Sequence, residues 1–62
     1  MEKVIDWAHE TIQEYLPDLQ LNGPVDAEDI TDFLRDRYYD EFFVGTTEEV
    51  RSALSIVASE YA

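Results

Sequence analysis

Apolar residues recur every three or four positions along three segments of the chain, which is the spacing of a helix that buries one face. In the first segment these residues are Val4, Ile5, Ala8, Ile12, Tyr15 and Leu16. Pro17 lacks a backbone N–H and disfavours the helical conformation in the residue before it, so we expect the helix to end there. The pattern therefore predicts a first helix over residues 2–16.

The second segment follows a loop in which Asn22-Gly23-Pro24 favours a turn. Asp26 stands just before the new periodicity, where an N-cap residue is expected, and Asp29 lies in the first turn, where the helix dipole favours negative charge. The expected buried stripe is Ile30, Phe33, Leu34 and Tyr38, running on toward Phe42. We expect this helix to end before Gly45, because glycine commonly follows a helix terminus.

The third segment has the most regular stripe, which consists of Val50, Ala53, Leu54, Val57, Ala58 and Tyr61. Thr46, followed three residues later by Glu49, fits a capping box at its start. Three helices with short loops predict an all-α fold, a compact three-helix bundle that forms one small domain over residues 1–62. The alternative is an α+β fold, in which residues 19–21 pack on the core as an extended piece and pair with residues 42–44 as two very short strands.

Negative charge dominates the composition. The 62 residues include 15 Asp and Glu but only 4 Lys and Arg, which gives a formal net charge of −11. Direct binding to nucleic acid is not expected, because it requires cations that neutralise phosphates. The chain is 45% hydrophobic and 13% aromatic, which is too apolar for a disordered acidic tail. There is no cysteine, so disulfides and thiolate metal sites are excluded.

Targeting and catalytic motifs are missing from the sequence. It shows neither a basic and apolar leader nor an apolar run long enough to span a membrane, so we expect a soluble, cytoplasmic protein with no membrane partner. His9 is the only histidine, which leaves no second His or Cys for a transition-metal site. The chain has no zinc-protease motif, no glycine-rich phosphate loop and no nucleophile motif. We therefore expect no enzyme activity, no cofactor and no metal site.

The acidic residues of the first two helices are regularly spaced. They form one column of Glu2, Asp6, Glu10 and Glu14, and a second column of Asp29, Asp32, Asp36 and Asp40. At about 100° per residue, the first column lies on the side of its helix opposite the apolar stripe, and the second lies within a sector of about 80° beside the buried stripe. Like charges at this spacing disfavour a helix by about 0.2–0.5 kcal/mol per pair, so six pairs cost about 1–3 kcal/mol at low salt. Lys3 is the only lysine that could offset this repulsion.

Two rows of carboxylates on rigid helices favour a binding function. A protein surface built to hold phosphates with Lys and Arg also accepts carboxylates in a similar array. We therefore expect an inhibitor that mimics the charge of nucleic acid and occupies the basic groove of a nucleic-acid-binding protein. In its charge pattern the chain resembles small acidic viral inhibitors such as phage anti-CRISPR and anti-restriction proteins, which act in the host cytoplasm. The plainer alternatives are a solvated polar face that favours solubility, and adaptation to a salty cytoplasm.

Apolar residues outside the stripes suggest a second hypothesis, a small structural or regulatory interaction module. Tyr39 and Phe43 fall outside the stripe of the second helix and are expected to turn outward beside the acidic column, as anchors for a partner. Ile56 lies off the third stripe, among Ser52, Ser55 and Ser59. Such a face could pack against a second copy of the chain, so a homodimer is one form of this hypothesis.

Overall fold

A computed structural model describes residues 2–42 and 44–62. In these residues the chain forms α1 over Glu2–Leu19, α2 over Ala27–Glu41 and α3 over Thr47–Tyr61, with a short 3-10 helix over Gln20–Asn22 between α1 and α2. The described residues contain no strand, so the predicted all-α three-helix bundle is confirmed and the α+β alternative is wrong. Among the described residues, no helix has both the length and the apolar character needed to cross a membrane.

Side-chain caps fix the starts of α2 and α3, as the sequence predicts. Asp26 has an extended backbone, and its carboxylate accepts a hydrogen bond of 2.8 Å from the backbone N–H of Asp29. The Thr46 hydroxyl accepts from the backbone N–H of Glu49 at 3.2 Å. Each bond satisfies one of the N–H groups that a helix leaves free at its start. Between these helices Gly45 has a φ of +92°, a conformation that glycine adopts without the strain of a side chain.

The core is a single cluster to which every helix contributes. Its buried apolar residues are Val4, Ala8 and Ile12 from α1, Ile30, Leu34 and Tyr38 from α2, and Val50, Ala53, Leu54, Val57 and Ala58 from α3. All of them belong to the three stripes predicted from the sequence. Tyr38 is the largest fully buried side chain, and its hydroxyl accepts a hydrogen bond of 2.7 Å from the backbone N–H of Val44.

Aromatic contacts show how the helices are oriented. Trp7, near the start of α1, packs against Tyr38 and Phe42 at the end of α2, with ring centroids 5.6 and 6.4 Å apart. Tyr15, near the end of α1, packs edge-on against Phe33 at 5.8 Å. These pairs make α2 antiparallel to α1. We refer to the line of contacts between the two helices as the α1–α2 seam.

Two details of the first loop differ from the sequence-based prediction. The helix α1 does not end at Pro17 but continues to Leu19, because the packing of Leu16 and Leu19 against the core offsets the hydrogen bond that the proline cannot donate. Residues 20–22 are a 3-10 turn and not an extended piece. Leu19 packs against the core, but Leu21 is 79% exposed, so its predicted burial is wrong.

Phe42 is also less buried than its place in the stripe predicts. It is the residue that ends α2, and its backbone has left the helical conformation. The side chain is 39% exposed, although its ring still contacts those of Trp7 and Tyr38. The stripe of α2 therefore ends at Tyr38, and the last aromatic of the helix lies at the surface.

The hydrogen bond from the Val44 N–H to Tyr38 can be tested by replacing Tyr38 with Phe. This change keeps the ring contacts but removes the acceptor, so we expect the free energy of unfolding in urea to fall by about 1 kcal/mol. Amide hydrogen exchange at Val44 should become faster, whereas protection in the middle of α3 should fall only by the loss of global stability. Unchanged stability together with unchanged exchange at Val44 would show that the bond contributes nothing.

Candidate functional site

Every carboxylate of the two predicted columns lies on the surface. The first column is one residue longer than the sequence predicted, because α1 continues past Pro17 and brings Asp18 into register four residues after Glu14. We call the two columns together the acidic face. It consists of Glu2, Asp6, Glu10, Glu14 and Asp18 on α1 and Asp29, Asp32, Asp36 and Asp40 on α2, all of which are exposed. Asp18 was missed because the helix was expected to end before it.

The α1–α2 seam brings the two columns together on one side of the bundle. Glu14 follows the seam residue Trp7 by seven positions, and Asp40 follows the seam residue Phe33 by seven, so each lies within about 20° of the seam around its helix. The columns do not follow the seam along their whole length. At the start of α1, Glu2 points in the same direction as His9 and Gln13, which contact Tyr61 of α3, and Asp32 of the α2 column lines a groove with α3. The two carboxylate rows are antiparallel and lie closest to the aromatic seam at Glu14, Asp18 and Asp40.

Almost none of this charge is neutralised within the molecule. Asp32 forms a salt bridge of 2.9 Å with Arg35, one turn later on α2. The other eight carboxylates have no Lys, Arg or His nitrogen within 4.0 Å among residues 2–42 and 44–62. The exposed pair contributes little to stability, but it does occupy one oxygen of Asp32. Asp29, Asp36 and Asp40 are the members of the α2 column that remain available to a partner.

Arg37 lies in the seam itself. Its guanidinium carbon is 4.3 Å from the centroid of the Tyr15 ring and 5.6 Å from that of Phe33. The same group donates to the Tyr15 hydroxyl at 3.1 Å and to Glu41 at 2.8 Å, while its Nε is buried without a hydrogen-bond partner in the described structure. Arg37 therefore joins α1 to α2 through cation–π contacts, and neither of the two residues to which it donates belongs to the columns.

The two aromatic anchors predicted beside the α2 column have different outcomes. Tyr39 is half-buried, packs against the core and lies edge-on to Tyr38, with ring centroids 5.5 Å apart. The expectation that it turns outward is wrong for most of its ring, because α2 buries a wider arc than the stripe alone suggests. Phe43 lies outside the described residues. A role for either residue in binding a partner stays a prediction.

A polar contact between α1 and the end of α3 had no sequence signal. The His9 ring accepts or donates a hydrogen bond at 3.1 Å with the Tyr61 hydroxyl, and its other nitrogen is 3.4 Å from a Glu60 oxygen. Fifty-two positions separate His9 from Tyr61, so no local spacing could reveal the pair. His9 thus joins α1 to the end of α3. The described residues contain no group of three or more side chains that could hold a metal ion.

Repulsion within the α2 column can be measured through Asp36, which lies one turn from both Asp32 and Asp40. Replacing Asp36 with Asn should raise the free energy of unfolding by about 0.4–1 kcal/mol at low salt, because two like-charge pairs disappear. The gain should shrink in about 1 M NaCl, where the Debye length is about 3 Å.

Glu48 provides a matched control for this experiment, because it is an exposed acid in the first turn of α3 with no acid four residues away. The change Glu48→Gln should leave stability unchanged or lower it, since the helix dipole favours a negative charge there. Thermal unfolding at several salt concentrations separates the two variants. Equal effects of both changes at all salt concentrations would argue against repulsion along the column.

Comparisons with known proteins add no relative from which a function could be inferred. No protein-family model matches the chain, nor does any curated protein or solved structure. The function must therefore be argued from the acidic face itself, through its exposure, its spacing and its lack of internal partners.

Proposed function

We propose that this protein is a small acidic inhibitor that binds a nucleic-acid-binding protein in place of its nucleic acid. The acidic face enters the basic groove of the target, and its carboxylates take the places of phosphates. The observation that carries the proposal is the set of eight exposed carboxylates on two neighbouring helices that have no internal ion pair in the described structure. Repulsion among these carboxylates lowers the stability of the free protein, and binding to a cationic partner would offset that repulsion.

The density of charge supports this choice of partner. From Glu2 to Asp18 the α1 column is about 24 Å long at 1.5 Å per residue, and the α2 column lies beside it. Nine carboxylates over this length give about one charge per 3 Å of bundle axis, compared with about one per 1.7 Å for both strands of duplex DNA. The spacing is of the same order, so a groove lined with Lys and Arg could be filled without large gaps.

The size and rigidity of the protein also suit this function. A strongly negative protein is steered toward a cationic groove, which raises the association rate without a deep pocket. The helices hold the carboxylates in place before binding, so little conformational entropy is lost on association. Phage anti-CRISPR and anti-restriction proteins are the class of inhibitor that we consider, acting in the cytoplasm of the host cell.

The proposal can be tested with a variant in which the four aspartates of the α2 column, at positions 29, 32, 36 and 40, are changed to Asn. Wild-type protein is immobilised and exposed to a bacterial lysate at low salt, and the retained proteins are released with duplex DNA. We expect the wild type to retain nucleic-acid-binding proteins that DNA displaces and that rising salt removes. The Asn variant should lose most of this retention while remaining folded by circular dichroism.

A control variant changes the net charge equally, from −11 to −7, but leaves the columns intact. It carries Gln at four glutamates outside the acidic face, namely Glu28, Glu48, Glu49 and Glu60. Retention by the control but not by the Asn variant would support binding through the columns. If both variants lose retention equally, binding depends only on the net charge and the proposal is wrong. The proposal is also wrong if DNA fails to displace the bound proteins.

A further inference from the structure

The surface between α2 and α3 differs from the rest of the molecule. It forms an open groove with a volume of about 480 Å³, on the far side of α2 from the seam. Small side chains line its middle, among them Thr31 from α2 and Ser55 and Ser59 from α3. Residues 50–59, which include most of this face of α3, contain no acid at all. Asp32 of the α2 column also lines the groove, but its carboxylate is paired with Arg35. Another protein surface can therefore approach here without meeting an unpaired carboxylate of the columns.

Charge is divided between the two ends of the groove. Because α2 and α3 are antiparallel, Arg35 and Arg51 lie at one end, and Glu28 lies near Ser59 at the other, about 12 Å away. Asp32 pairs with Arg35, whereas Arg51 has no acidic partner within 4.0 Å in the described part of the chain. One end thus has a surplus of positive charge and the other of negative charge, although the protein as a whole is strongly acidic.

We propose that this groove is the interface of a homodimer, in which the second copy is turned by a two-fold axis perpendicular to the helices. In that orientation the Arg35 and Arg51 end of each copy lies over Glu28 of the other, so two sets of opposite charges meet. A parallel arrangement would instead place Arg35 of one copy against Arg51 of the other. The small side chains in the middle allow the four helices to approach closely.

The charge of the whole protein favours this face over the others as a site of self-association. Two chains that each carry −11 repel one another, and the repulsion is greatest wherever acidic columns meet. In the groove, the positive charges of the arginines offset the negative charges of the acidic side chains. Asp29, Asp36 and Asp40 lie on the other side of α2, so a dimer formed through the groove covers Asp32 but leaves the rest of both acidic faces open to a target.

The dimer is tested by an exchange of charges across the interface. Sedimentation of the full chain is followed from about 10 μM to about 1 mM, because a small interface between acidic chains is expected to associate weakly. Wild-type protein should shift from monomer to dimer in this range. Either Arg51→Glu or Glu28→Arg alone should weaken the association at least tenfold, and the two changes together should restore it.

Lys3→Glu is the matched control, since it changes the net charge as Arg51→Glu does but lies on α1, outside the groove. It should weaken the dimer much less than Arg51→Glu. Sedimentation of the protein alone measures self-association without a cationic target, whereas the retention experiment measures binding by the acidic face. The two proposals can therefore fail separately.

Three results would overturn the groove interface. They are a monomer at all concentrations, failure of the double variant to restore association, and a dimer broken by Ile56→Asp but not by Arg51→Glu.

Discussion

The burial of Tyr38 is the interaction on which the rest of the structure depends. Its ring contacts Trp7 of α1 and Phe42 at the end of α2, and its hydroxyl binds the backbone of the loop that leads into α3. One side chain thus fixes the spacing of α1 and α2 and the path of the chain between α2 and α3. A domain of this size has a small core and no disulfide, so each large buried side chain carries a large share of its stability. The free energy of this packing must also offset the repulsion within the acidic columns.

The arginines lie mostly away from the acidic columns, so positive and negative charges occupy different parts of the surface. Arg37 lies between aromatic rings in the seam, while Arg35 and Arg51 line the groove on the opposite side of α2. Among residues 2–42 and 44–62, only Arg35 forms a salt bridge with a member of the acidic columns. If the arginines simply served to neutralise acids, they would be expected among the columns. Their positions instead leave one surface strongly negative and another nearly balanced, which is why we assign the two surfaces different partners.

Much of the fold was predictable from the sequence because local rules govern it. The caps at Asp26 and Thr46 and the three apolar stripes follow from helix geometry, and the structure confirms them. The exposure of the eight predicted carboxylates follows from the same periodicity. The predictions that were wrong concern features that depend on position within a helix or on contacts between residues far apart in the sequence. Pro17 was expected to end α1, but the packing of Leu19 against the core keeps the last turn helical.

The pairing of His9 with Tyr61 and the partial burial of Tyr39 depend on how whole helices lie against each other, which no spacing along the chain specifies. The position of Trp7 also depends on how the helices pack. It is the only tryptophan, it is half-buried at the seam, and its indole touches two other rings beside the carboxylates. A partner covering that side would remove water from the indole and move its emission to shorter wavelength. The molecule therefore carries its own fluorescent reporter at the border of the acidic face, with no other indole to obscure the signal.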